Sequence, residues 1–302
     1  MKIKQSLAEK SMFETIAQML HESDLRNLPL HEVILEDESS YCNTAKESVI
    51  ERLQHSLDVM KESLEKAAQH DPELPIKEAM HQAKKMNSPG IFLDKNMKEA
   101  VLWAMEIAEY NSGMGVIVAA PTAGSSGVLP ATLFKAKQML GLFDEDLLHG
   151  LLVAAATGAI IGNHATLSGS EAGCQAEVGV ASAMAAAGIV HMAGGTTHQV
   201  EHAIAITLTN VMGLVCDPVA GLVISPCVKR NAIGVMNAFL AAEMALSGVE
   251  SVIPADEVIE AMMNVGKKLP AELKETGQGG IATTPTGLRI RKAVIKDKND
   301  RP

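Results

Sequence analysis

Residues 144–165 and 174–194 are dense in alanine and glycine, and they constrain the fold of this chain more than any other feature of it. Helices lined with small residues approach one another closely, and a helix that is apolar on every face has to be buried. Aromatic residues make up 3 % of the 302 residues, against 24 glycines and 17 methionines, a balance that favours packed helices over a β-sandwich. The length suffices for one large domain or two, with a substantial core. The expected fold class is mainly α, with Gly-rich loops between the helices.

Residues 1–110 read as an amphipathic helical N-terminal part. Ser6 to Glu9 has capping-box spacing, and Met12, Ile16, Met19 and Leu20 recur at helical intervals. Val49, Ile50, Leu53, Leu57, Met60 and Leu64 form a second apolar stripe, broken by Asp71-Pro72 and Leu74-Pro75. After the turn at Pro89-Gly90 a further helix covers Met97 to Tyr110. The composition changes at 111, and 111–290 is expected to be the part that carries chemistry. Within it, Val116 to Ala120 is a candidate strand or extended segment, 129–140, 231–246 and a stretch from Pro254 are helical, and Gly277–Gly280 and Thr283–Gly287 form a backbone-rich loop. Residues 291–302 make a basic tail, expected to fray.

A formal charge of −10 argues against a nucleic-acid surface. The start of the chain, with Lys2, Lys4, Glu9 and Lys10, has no signal-peptide pattern, so a cytoplasmic location is expected. Leu147 to Ile161 is apolar but interrupted by His149, Gly150, Thr157 and Gly158, which makes it a buried core helix rather than a membrane span.

Three of the four cysteines, Cys174, Cys216 and Cys227, fall within one span, and each adjoins residues that turn the backbone: Gly173, Asp217-Pro218 and Pro226. In a reducing compartment such thiols are metal ligands, nucleophiles or packing residues rather than disulfides. Three thiolates are one short of a closed zinc or iron–sulfur shell, so a metal held by them keeps an open position or recruits another residue. The plain alternative is three small buried side chains. Cys42, in an acidic polar stretch, reads as a lone thiol.

The loop Thr122, Gly124, Ser125, Ser126 and Gly127, at the start of a helix, offers amides and hydroxyls to an anion such as a carboxylate; a simple capping turn is the other reading. It lacks the ending of a nucleotide-binding P-loop. Glu171 and Glu177 flank Cys174 and serve either as first-turn carboxylates or as proton handlers, and His164 reads most simply as a core histidine. His198-Gln-Val-Glu-His202 fits the H-x-x-E-H pattern of a zinc hydrolase, with a solvated helix start as the competing reading.

Ser168 to Gly188, Gly213 to Val223, Pro226 to Ala232 and Ala120 to Gly127 together resemble the signature segments of the iron–sulfur-dependent L-serine dehydratases, in particular the separate alpha chain of the two-subunit type. The resemblance runs from about residue 15 to 287. It implies a helical catalytic domain with Gly-rich loops around a cluster site. It implies a [4Fe–4S] cluster on Cys174, Cys216 and Cys227, no pyridoxal phosphate, and conversion of L-serine to pyruvate and ammonia. Substrate contacts are expected at Thr122, Gly124, Ser125, Ser126, Gly127, Ser168, Gly169 and Glu171, while the general base is unassigned. Single-chain members carry a second domain with a Ser-Ser-Ser-His-Thr segment that is absent here, so a beta chain is the expected partner. Some also use a terminal cysteine to cap the open iron; this chain ends Asn-Asp-Arg-Pro, so that lock is expected to be missing. Within the same chemistry the alternative is a cysteine desulfidase-type lyase, and outside it a non-catalytic iron–sulfur protein.

Overall fold

The computed structural model describes residues 13–299. The Ser6–Glu9 capping box, Met12 and the last three residues of the basic tail lie outside that range. Helices α1 (Ile16–Arg26), α2 (Leu30–Tyr41), α3 (Lys46–Gln69), α4 (Gln82–Lys85) and α5 (Lys95–Ser112) come first. They are followed by α6 (Val128–Leu140), α7 (Asp144–His164), α8 (Gly169–Ala172), α9 (Val180–Met192), α10 (Thr197–Asn210), α11 (Cys227–Leu246), α12 (Ala255–Lys268) and α13 (Pro285–Asn299). The fold is mainly α. Among the described residues there is no strand, only one parallel bridge between Cys216 and Lys274, and Val116 to Ala120 is an irregular segment leading into Pro121.

Helix α9 is the axis of the core. Val180 to Val190 is buried on every face, as a helix without a polar side must be, and α6, α7, α10 and α11 pack around it. Its one hydroxyl, Ser182 Oγ, lies 2.7 Å from Val178 O in the turn that precedes the helix and 3.0 Å from Gly234 O on α11. The small residues set the spacing. A Cβ on Gly188 would sit 2.7 Å from the carbonyl oxygen of Gly150, so α7 and α9 meet backbone to backbone. Each Ile, Leu or Val sealed in this way contributes about 2 kcal/mol.

Local signals place the helix ends. Thr196 caps α10 and Gln199 closes the capping box, while Asp144, Glu145 and Asp146 occupy the first turn of α7, where the dipole favours them. By length and composition α7 could cross a membrane, but a broad face of it is buried in the core against α9. The expectation of a fraying tail is corrected: residues 285–299 continue as α13. Thr284 Oγ1 accepts from Gly287 N at 3.2 Å, and Val294, with Ile290 one turn earlier, packs on Leu74, Ile76, Val219 and Ile224. The basic residues of this helix hid a short apolar stripe.

Candidate active site

Three chain segments deliver the three buried thiols to one locus. Cys174 immediately precedes a π-helical turn, Gln175–Gly179, that leads into α9; such turns widen a helix and recur at functional sites. Gly173 before it has φ +80°, and a Cβ there would lie 2.7 Å from Leu214 O, so the corner requires glycine. Cys216 is fixed by backbone pairing with a loop that follows α12: its N donates to Leu273 O and its O accepts from Glu275 N, both at 2.8 Å. Cys227 is the first residue of α11, four residues earlier than the helix expected from Asn231.

Glu177 lies between the first two. Its Oε2 is 3.9 Å from Cys174 Sγ and 3.8 Å from Cys216 Sγ, and its Oε1 accepts from Thr122 Oγ1 at 2.8 Å. The Cys174 and Cys216 sulfurs and a Glu177 oxygen lie within 4.8 Å of one another. Arg230, on the first turn of α11, donates to Cys174 Sγ at 3.3 Å and to Val215 O at 2.8 Å, and pairs with Asp217 Oδ1 at 2.8 Å.

The charges explain how the thiols differ. A hydrogen bond from Cys216 lowers the Cys174 pKa; burial opposes it and the Arg230 charge assists. Cys216, as the donor to Cys174, is raised, and burial adds to that. Cys227 is pushed up to about 12, first by burial and then by the neighbouring charges of Cys174 and Glu177. Burial also raises Glu177, against the hydrogen bond from Thr122. Among the described residues, three buried thiols and a half-buried carboxyl thus share the Arg230 guanidinium, too little positive charge for all of them to ionise. A soft, thiophilic metal centre would supply the missing charge, so the donor set fits one.

Beside the thiols is an open cleft of about 470 Å³, lined by Thr122, Ser168, Gly169, Glu171, Glu177 and Glu275 among others. Of the residues expected to touch substrate, Thr122, Ser168, Gly169 and Glu171 line it, and a Cβ on Gly169 would stand 3.3 Å from Cys216 Sγ. Gly124 is half-buried beside Glu177, where a Cβ would stand 3.2 Å from Oε1, and Ser125, Ser126 and Gly127 are buried behind it. Ser125 is buried with its hydroxyl 3.2 Å from Thr122 Oγ1, and Ser126 is buried with its hydroxyl unpartnered. Gly127 N donates to Asn231 Oδ1 at 3.0 Å, and Gly124 O accepts from Asn231 Nδ2 at 2.8 Å.

Four organising residues were not singled out from sequence: Gln175, Arg230, Asn231 and Glu275. Gln175 is fully buried; its side chain donates to Ala172 O (2.8 Å) and Met262 O (3.2 Å) and accepts from Gly213 N (2.8 Å), tying α8, α12 and the 213–216 segment together. Polar side chains inside otherwise apolar helices were the available signal. For Arg230 the signal was a cation at a helix N-terminus, where the dipole disfavours it unless an anion is close.

One expectation is corrected. His164 is exposed at the end of α7, not a core histidine. In the H-x-x-E-H segment, Glu201 Oε1 accepts from Ala255 N at 3.4 Å at the start of α12. Glu250 is the carboxylate near His198 and His202. His202 Nδ1 accepts from Ser251 N at 3.1 Å, so in the neutral ring Nε2 carries the hydrogen and donates to His198 Nε2 at 3.1 Å. The His198–His202 hydrogen bond lies within α10, and the Ser251 contact ties that helix to the loop before α12. Cys42 ends α2, its thiol donating to Glu38 Oε1 at 3.3 Å.

A mainly helical domain whose buried thiols converge beside an open cleft defines a class, and sequence comparison gives the family. The sequence model described as "Serine dehydratase alpha chain" matches residues 25–282, and the chain belongs to that family. It is 42 % identical over 293 residues to a probable L-serine dehydratase, alpha chain, of Bacillus subtilis, covering 94 % of this chain and 96 % of that one. It is 41 % identical over 290 residues to the L-serine dehydratase, alpha chain, of Peptoniphilus asaccharolyticus, covering 95 % and 99 %. A longer relative, the L-serine dehydratase of Streptomyces coelicolor, is 34 % identical over 280 residues, 90 % of this chain and 61 % of that protein.

Proposed function

We propose that this chain is the metal-bearing subunit of an L-serine dehydratase, a lyase that converts L-serine to pyruvate and ammonia and works with a beta chain in the cytoplasm. The observation that carries the reading is the Cys174, Glu177 and Cys216 donor set, within 4.8 Å and beside the cleft, with the buried Cys227 thiol near enough to feel the charges of Cys174 and Glu177. Their donor chemistry fits a [4Fe–4S] cluster with one iron not held by cysteine. When bound, that cluster supplies a Lewis acid that makes the β-hydroxyl of serine a better leaving group.

The residues of the chain do the rest. Glu171, Glu177 and Glu275 make the cleft wall acidic, which suits the substrate ammonium. The lining residues include no lysine or arginine, so the Thr122 and Ser168 hydroxyls and nearby amides are the donors this chain offers the carboxylate. Thr122 holds Glu177, and Asn231 holds the loop that carries Thr122. Abstraction of the Cα proton is left to a group on the partner or to one of these carboxylates.

The open cleft supports the need for a second chain, as does the length of the Streptomyces relative, of which 39 % lies outside the match. The test is anaerobic purification with and without the candidate beta chain, followed by pyruvate release from L-serine and from L-cysteine. Serine turnover in the complex, at least about tenfold above cysteine turnover and above either chain alone, is expected. Full turnover by this chain by itself, or equal turnover of cysteine, contradicts the reading.

A further inference from the structure

We infer that Arg230 is a positioning residue for the metal centre: its guanidinium grips the Cys174 sulfur and is aimed by Asp217, which joins that sulfur to the loop at 280–283. The inference rests on the proposed metal site and concerns how that site retains its metal.

Four contacts define the arrangement. Arg230 Nη1 lies 3.3 Å from Cys174 Sγ and also donates to Val215 O at 2.8 Å; Nη2 donates to Asp217 Oδ1 at 2.8 Å. The far oxygen of Asp217, Oδ2, accepts from Ile281 N at 2.9 Å. Both side chains are shielded, with 12 % of Arg230 and 5 % of Asp217 exposed. The guanidinium therefore has all three groups around it fixed: a thiol, a carbonyl and a carboxylate. A planar fork can serve these three directions at once, which the single ammonium of lysine cannot. The helix dipole alone would disfavour a cation on the first turn of α11, so the neighbouring anionic groups hold it there.

Hydrogen bonds to ligating sulfurs tune iron–sulfur centres, and losing such an outer partner typically weakens metal retention by about 10- to 100-fold. Arg230 touches the Cys174 sulfur, and its charge also acts on Cys227, so it would offset part of the repulsion among ligating thiolates. Through Asp217, the Gly280–Thr283 turn is seated on the same network.

The experiment compares wild type, Arg230→Lys, Arg230→Gln and Asp217→Asn after anaerobic reconstitution with ferrous iron and sulfide. Three readouts apply: iron and sulfide per chain, the rate of iron loss to an excess chelator, and the reduction potential followed by electron paramagnetic resonance. Circular dichroism establishes that each variant is folded. Iron loss in Arg230→Gln should be faster by about 10- to 100-fold, with a shifted potential. Arg230→Lys and Asp217→Asn should fall between it and wild type. A folded Arg230→Gln with the wild-type loss rate and potential overturns the inference. Should that variant fail to fold, wild-type values in Arg230→Lys and Asp217→Asn overturn it equally. If wild type itself takes up no iron, the proposed metal site fails, an outcome distinct from the failure of this inference.

Discussion

Asn231 shows how much a single side chain can organise here. Its amide satisfies Gly127 N, Gly124 O and Cys227 O at once, from a position with no solvent access. Asn231→Ala leaves buried backbone groups unpaired and should lower stability by about 3 kcal/mol, read as a fall in the urea midpoint. Gln175→Leu, which strands Gly213 N and two carbonyls, should cost a similar amount, about 2–4 kcal/mol. Both effects should appear in the metal-free chain, because these residues position backbone rather than metal. A variant of either kind with an unchanged midpoint would show that water replaces the amide without loss.

At the scale of elements, the α7–α9 contact is set by glycine meeting glycine. Gly188→Ala pushes a methyl group against Gly150 O at 2.7 Å and Leu133 Cδ2 at 3.0 Å, and should destabilise the fold by about 1–3 kcal/mol. Further along the same helices a histidine cluster joins α2, α7 and α9. His31 stacks on His149 with centroids 3.7 Å apart, and His31 Nδ1 lies 3.0 Å from His191 Nε2. Burial, then the neighbouring His31 and His149, lowers the His191 pKa to about 4; burial lowers His31 too, while Glu32, Glu145 and Asp146 pull it the other way. Below the ordinary histidine pKa of about 6.5 the unfolded chain takes up a proton that the folded His191 refuses. Stability should therefore fall as pH drops from about 6.5 to about 4, by about 3 kcal/mol from His191. Urea midpoints across that window should be flatter in His191→Gln than in wild type, and parallel curves would remove His191 as the cause.

For the whole molecule, the cleft lies open on one side, and under the proposed function activity should depend on a beta chain. Much of this was legible in the sequence. The small-residue helices and the turns beside the three cysteines follow from local chemistry that reads the same in isolation as in the fold. What sequence could not supply was pairing across distance. Nothing local links Arg230 to Cys174 or Asn231 to Gly124, since those contacts exist only after α9 and α11 have packed. The Pro121–Gly127 segment illustrates the same limit: its composition suggested one anion-binding loop, whereas the packing turns Thr122 to the cleft and Ser125 and Ser126 inward.

In the proposed function three thiols would hold iron while leaving one iron for the substrate. Mössbauer spectroscopy of the anaerobically reconstituted alpha–beta complex, enriched in 57Fe, tests this most directly. About four irons per alpha chain are expected, one of them spectroscopically distinct and shifted on addition of L-serine, with loss of the cluster in Cys174→Ala, Cys216→Ala and Cys227→Ala. A spectrum indifferent to serine, or a cluster that survives in all three variants, would contradict it.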